Sequence, residues 1–151
     1  MANFQTNIAA KEGLRGASGL TDPTLYQGSV RYAIATLTLS SSMAANDTFD
    51  VCQDLPAGAR ILPQLSKFVC HADPGTTLTI DIGDSTDADR YCDGAVLSSG
   101  GIVEFCTSAI PAAVTTPVKL SSARGITGVI ATATSITNAV NVDILIAYVV
   151  G

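Results

Sequence analysis

Val, Ile and Thr together supply 41 of the 151 residues, and no other feature of the chain constrains its fold as strongly. Branched at Cβ, these side chains lose rotamer freedom in a helix and suit a pleated, half-buried surface. The expected fold is therefore all-β. The clearest strand runs from Thr76 to Ile82, where Leu78, Ile80 and Ile82 share one face and Thr77, Thr79 and Asp81 the other, the period of a strand with one packed and one wet side. Phe49 and Val51 alternate with Thr48 and Asp50, Val103 and Phe105 flank Glu104, and Val118, Lys119 and Leu120 suggest a further short strand. Between Val30 and Leu39 the apolar phase passes from even positions (Val30, Tyr32, Ile34) to odd ones (Leu37, Leu39), which predicts a β-bulge near Ala35. From Val140 to Val150 both faces are largely apolar, so this last strand is expected to be covered on both sides and to build core.

Turn chemistry recurs between these runs, at Pro56-Ala57-Gly58, Asp73-Pro74-Gly75, Ser98-Ser99-Gly100-Gly101 and Ala123-Arg124-Gly125. Strands punctuated at this spacing predict a single-domain β-sandwich, jelly-roll-like, over residues 29–151. Residues 1–28 have no sustained period and contain Gly13, Gly16, Gly19 and Gly28 with the turn-like Asp22-Pro23. They read as an extended N-terminal arm that orders on binding, with at most one helical turn within Asn7 to Leu14.

The chain is 47% hydrophobic and 14% charged, against about 25% charged residues in an average soluble domain. A partner is thus expected to cover part of the apolar surface. The net charge of -5 and only eight scattered Lys and Arg exclude nucleic acid as a partner, because phosphate binding needs clustered cations. The longest apolar tract, Ile144 to Val150, is far short of the ~20 residues a helix needs to span a bilayer, so no membrane partner is expected. Nothing in the first thirty residues resembles a secretory signal, and synthesis in the cytosol follows as an expectation. Cys52, Cys70, Cys92 and Cys106 are then expected to be reduced, small and buried. Their gaps of fourteen to twenty-two residues do not match the close ligand pairs of a zinc site.

The most conspicuous polar feature is Asp81, Asp84, Asp87, Asp89 and Asp93, five carboxylates within thirteen residues. Hard oxygen ligands at short spacing suit calcium, which makes Asp84, Asp87, Asp89 and Asp93 the candidate ligands. The EF-hand pattern is not met: counted from Asp84, its sixth and twelfth positions hold Asp89 and Ala95, and counted from Asp87, Cys92 and Ser98. The preferred reading is structural, with these aspartates capping turns and pairing with Arg90. His71, the only histidine, follows Cys70 at a strand end. Adjacent strand residues face opposite ways, which argues against a Cys-His nucleophile and for a surface histidine near a turn. No nucleophile elbow, zinc-binding helix, phosphate loop or dinucleotide fingerprint occurs. Without Trp, stacking on sugar rings is weakly supported. No enzyme, cofactor or metal is expected from these patterns.

The stretch Leu55-Pro-Ala-Gly-Ala-Arg-Ile-Leu-Pro63, followed by Thr79-Ile-Asp-Ile-Gly-Asp84 and Asp87-Ala-Asp-Arg-Tyr91, resembles small virion structural proteins of tailed bacteriophages, the capsid decoration (cement) and head proteins. The likeness covers about Leu55 to Gly94 and names no catalytic residue. It implies a protein made in the host cytoplasm that binds the capsid surface. Its partners would be the major capsid protein and other copies of itself, as an oligomer with a trimer favoured, and its effect would be to stabilise the shell. Related members resemble head-fibre bases and minor tail components. From a different class, the rival reading is a calcium-dependent module for a host glycan, using the segment from Asp84 to Asp93.

Overall fold

The computed structural model describes residues 29–115, 118–133 and 135–151. The arm proposed for residues 1–28, and the helical turn within it, lie outside the described residues.

The described residues form nine strands: β1 (Arg31–Leu39), β2 (Thr48–Leu55), β3 (Ala59–Ile61), β4 (Lys67–Cys70), β5 (Leu78–Asp84), β6 (Asp87–Leu97), β7 (Gly101–Glu104), β8 (Arg124–Ala133) and β9 (Val140–Val150). They form two antiparallel sheets. The first has the order β1-β9-β4-β7, with β3 also paired to β9, and the second β2-β8-β5-β6. β3 lies against the last residues of β9 and β4 against its first half, so the two follow one another along the same side. Counted as one interrupted strand, they leave eight strands ordered 1-8-3-6 and 2-7-4-5, the double Greek key of a jelly roll. The interruption is a 3-10 turn at Pro63–Leu65. There the Ser66 hydroxyl donates to Leu62 O at 2.9 Å and accepts the Ala147 amide at 2.9 Å, replacing a ladder bond that the turn removes.

The core lies between the sheets. Leu78, Ile80 and Ile82 of β5 face Val142, Ile144 and Ile146 of β9 across it, all fully buried, each contributing roughly 1.5–3 kcal/mol of transfer free energy. Phe68 and Phe105 stack with centroids 4.7 Å apart. β9 is the central strand of its sheet and, as expected from its two apolar faces, also buries Ala147 and Val149 on its other side. Turn chemistry acts as anticipated at Asp73-Pro74-Gly75: the Gly75 amide donates to Asp73 Oδ1 at 2.7 Å, and Gly75 takes a φ of +76° that only glycine adopts without strain.

Four expectations are corrected. No bulge interrupts β1, which pairs with β9 in one continuous register from Arg31↔Tyr148 to Leu39↔Val140. The apolar phase changes because Tyr32 and Ile34 face outward while Ala33, Ala35, Leu37 and Leu39 face the core. The register shifts lie in β2 and β5 instead. Val118, Lys119 and Leu120 contribute only an isolated bridge from Lys119 to Arg60. Arg124 and Gly125 open β8 and do not turn, the bends falling at Ser121 and Ser122. A four-residue helical turn, Ala112–Thr115, arises where no helix was anticipated.

Candidate functional site

The aspartate-rich segment, expected as a loop from Asp84 to Asp93, is mostly strand. β5 ends at Asp84 and β6 starts at Asp87, leaving Ser85 and Thr86 as a two-residue hairpin turn. Gly83 makes this tightness possible, because a Cβ there would collide with the backbone of Asp87 and Ala88.

Asp84 is 3% exposed and saturated with donors. Its Oδ1 accepts the Thr86 amide at 2.9 Å and the Thr86 hydroxyl at 2.5 Å, and its Oδ2 accepts the Tyr91 hydroxyl at 2.8 Å and Arg124 Nη1 at 3.1 Å. Arg90 adds a cation 3.8 Å away and lies 3.7 Å from Asp87. Burial alone would raise the Asp84 carboxyl, but the donors of Thr86, Tyr91 and Arg124 hold it down at about 2. The Tyr91 hydroxyl is pushed upward by its burial and by the Asp84 carboxylate. Asp84 is thus a buried anion that ties the hairpin to β8.

The other aspartates play smaller parts. Asp81 accepts the Gly94 amide at 2.7 Å, and its carboxyl is raised chiefly by burial. Asp89 is raised by a hydrogen bond shared with Asp87, then by burial and the charges of Asp87 and Asp93. Among the described residues no three His, Cys, Asp or Glu side chains gather closely enough to hold one ion. The four calcium candidates are therefore spread along the hairpin, Asp84 buried inward and Asp89 and Asp93 exposed on β6. Arg124 was not legible as a partner of Asp84, since forty residues separate them and only the pairing of β8 with β5 brings them together.

All four cysteines are free thiols, Cys70 and Cys92 buried as expected but Cys52 and Cys106 only half-buried. Burial raises each of them, and Cys92 reaches about 12, the reverse of the lowered value a nucleophilic thiol needs. Cys70 is buried and donates to Ala72 O at 3.0 Å. His71 faces outward, as the strand geometry implied, with Nε2 2.8 Å from Asp143 Oδ2. Asp143 also accepts the Thr36 hydroxyl at 2.6 Å, and the two contacts lower its carboxyl.

The larger feature is the outward side of the first sheet. Tyr32 is 49% and Ile34 67% exposed, and Ile102 64%. Register places Ile34 opposite Leu145, and Val69 opposite Ile102, with Leu145 and Val69 half-buried between them. Two apolar pairs, Ile34 with Leu145 and Val69 with Ile102, therefore lie on this side, set diagonally because Lys67 stands opposite Leu145 and Asp143 opposite Val69. Single exposed apolar residues are ordinary, but several on one face suit a contact surface. Among the described residues no helix is long and apolar enough to cross a membrane.

No protein-family model matches the sequence, and no curated protein is similar to it at a significant level. Among solved structures, a chain described as "Cyanophage Pam1 capsid asymmetric unit" is similar in fold, with a TM-score of 0.54 and 18% identity over 83% of this chain and 88% of that one.

Proposed function

We propose that this protein is a non-enzymatic structural component of a tailed-phage virion, a decoration protein that binds the outer shell as a trimer and stabilises it. The observation that carries this reading is the near end-to-end likeness in fold to a chain of a capsid asymmetric unit. The exposed apolar side chains of Tyr32, Ile34 and Ile102 on one sheet face support it by supplying contact surface, and the low charge of the chain suits burial against a large partner. The buried carboxylate and raised thiols leave no convergent acid, base and nucleophile among the described residues around which to build a reaction.

Stabilisation would follow from mass action. A protein that binds the closed shell and not its dissociated subunits lowers the free energy of the shell by an amount set by its affinity and concentration, repeated at every equivalent site. The test is the mass of the purified protein by light scattering, alone and after incubation with empty shells of the major capsid protein followed by sedimentation. The expected result is a trimer that sediments with the shells. A monomer that stays in the supernatant would overturn the reading in favour of a host-binding module.

A further inference from the structure

The two sheets expose four edge strands, β1 and β7 in one, β2 and β6 in the other. Exposed edges invite pairing with another chain, and proteins blunt them with charges, bulges or shortness. β7 has four residues and ends on Glu104. β2 carries Asp50 and Asp54 and two register shifts. β6 carries Asp87, Asp89 and Asp93, with two shifts against β5. β1 has none of these devices: nine residues, no Gly or Pro, a single charge at Arg31 and unbroken register. Among the described residues nothing pairs with its free side. Ala33, Ala35 and Leu37, which face the core, stay half-buried there because the sandwich is open at that edge.

We infer that the β1 edge is a docking site for a strand supplied by a neighbouring copy of this chain, and that the strand is residues 2–8. The inference rests on the oligomer proposed above. Ala2, Phe4, Thr6 and Ile8 alternate with Asn3, Gln5 and Asn7, with no charge in the segment. Within an arm that has no sustained period, these few residues alone follow the period-two pattern of a strand, slightly shorter than the nine-residue β1. Added to the edge, its Phe4 and Ile8 face would extend the core side over Ala33, Ala35 and Leu37. Main-chain bonds would supply affinity and the alternate side chains register, as in strand augmentation generally.

The spacer argues for a neighbour. Residues 9–28 span at most about 66 Å when extended, whereas a strand returning to its own neighbour needs a loop of only about 2–5 residues. In a trimer each copy would give its segment to the next, a head-to-tail contact that closes on itself.

The test is amide hydrogen exchange of β1 in the full chain and in a chain lacking residues 2–8, with mass measured in parallel. The paired substitution Phe4→Asp and Ile8→Asp serves as a second variant that keeps the chain length. Expected is an exchange rate for the outward amides of β1 at least about tenfold slower in the full chain than in either variant, with the rest of the sandwich unchanged. Isotope-labelled deletion protein mixed with excess unlabelled full chain should regain that protection. Equal exchange in a full-length trimer and its variants would overturn the docking while leaving the oligomer intact, and a monomeric full chain would overturn the oligomer itself. Protection that the labelled deletion protein fails to regain would mean that each segment serves its own chain, which also overturns the inference.

Discussion

At the β5–β6 hairpin the second sheet turns a cluster of charge inward and closes its edge with carboxylates, while at β1 the first sheet turns apolar side chains outward and leaves its edge plain. Asp84 lies 3% exposed among Tyr91, Thr86 and Arg124, whereas Ile34 is 67% exposed on a strand with one charged residue. Each arrangement inverts the ordinary preference for apolar inside and polar outside. A buried charge is tolerable only when every donor around it is engaged, so the hairpin is fastened to one conformation. Exposed apolar side chains cost the isolated chain little, so under the proposed function the β1 side is the one to test for association.

The largest effect should fall on the hairpin. Asp84→Ala leaves Arg124 and Tyr91 without their acceptor and should lower unfolding free energy by roughly 3–5 kcal/mol, the usual cost of breaking a buried pair from one side. Urea denaturation measures it, and a loss below 1 kcal/mol would mean that the cluster does not fasten the hairpin. Next comes Gly83→Ala. The added methyl meets backbone at Asp87 and Ala88, not a movable side chain, and overpacking of this kind costs about 1–3 kcal/mol.

The acid limb of stability should separate the two regions as well. The Asp84 carboxyl titrates at about 2 in the folded chain against an ordinary value of 3.8. A depressed carboxyl stabilises the fold fully above its unfolded value and loses that contribution as pH falls through the folded one. The stability difference between the parent chain and Asp84→Asn should therefore shrink by about 2 kcal/mol between pH 4 and pH 2, at about 1.4 kcal/mol per unit. A difference that stays flat over that range would show that Asp84 is not the group responsible.

The contrast also explains what could be read from the residues alone. β5 was legible because its alternation at Leu78-Ile80-Ile82 records burial directly, and β9 because both of its faces are apolar from Val140 to Val150. β1 was misread. Its apolar residues sit on both faces, and periodicity cannot distinguish a strand that slips by one residue from one that keeps an apolar outer face for a partner. The hairpin was half legible: the aspartates were read as turn caps, and their pairing with Arg90 was local enough to foresee. The anchoring of Asp84 by Arg124 was not, because it depends on which strands become neighbours. Of the candidate calcium ligands, sequence spacing placed four aspartates near one another, but Asp84 is buried and taken up by Thr86, Tyr91 and Arg124, while Asp89 and Asp93 lie exposed on β6.

The smallest effect on folding is expected at Ile34, and it carries the most weight for the comparison. Ile34→Ser removes an exposed side chain that touches little of the core, so the stability of the isolated domain should change by no more than about 0.5 kcal/mol. Ile82→Ala, which removes the same kind of side chain from a fully buried position, should cost about 2–5 kcal/mol. Association should rank them the other way: Ile34→Ser is expected to reduce co-sedimentation with empty shells, or the trimer fraction, while its melting transition stays in place. If Ile34→Ser destabilises the domain by more than 1 kcal/mol, Ile34 is already covered within the chain and the division between a fastened side and an associating side fails. If the domain is unaffected and association is unaffected too, the contact surface lies elsewhere, and the exposed Leu65 and Ile110 become the next positions to substitute.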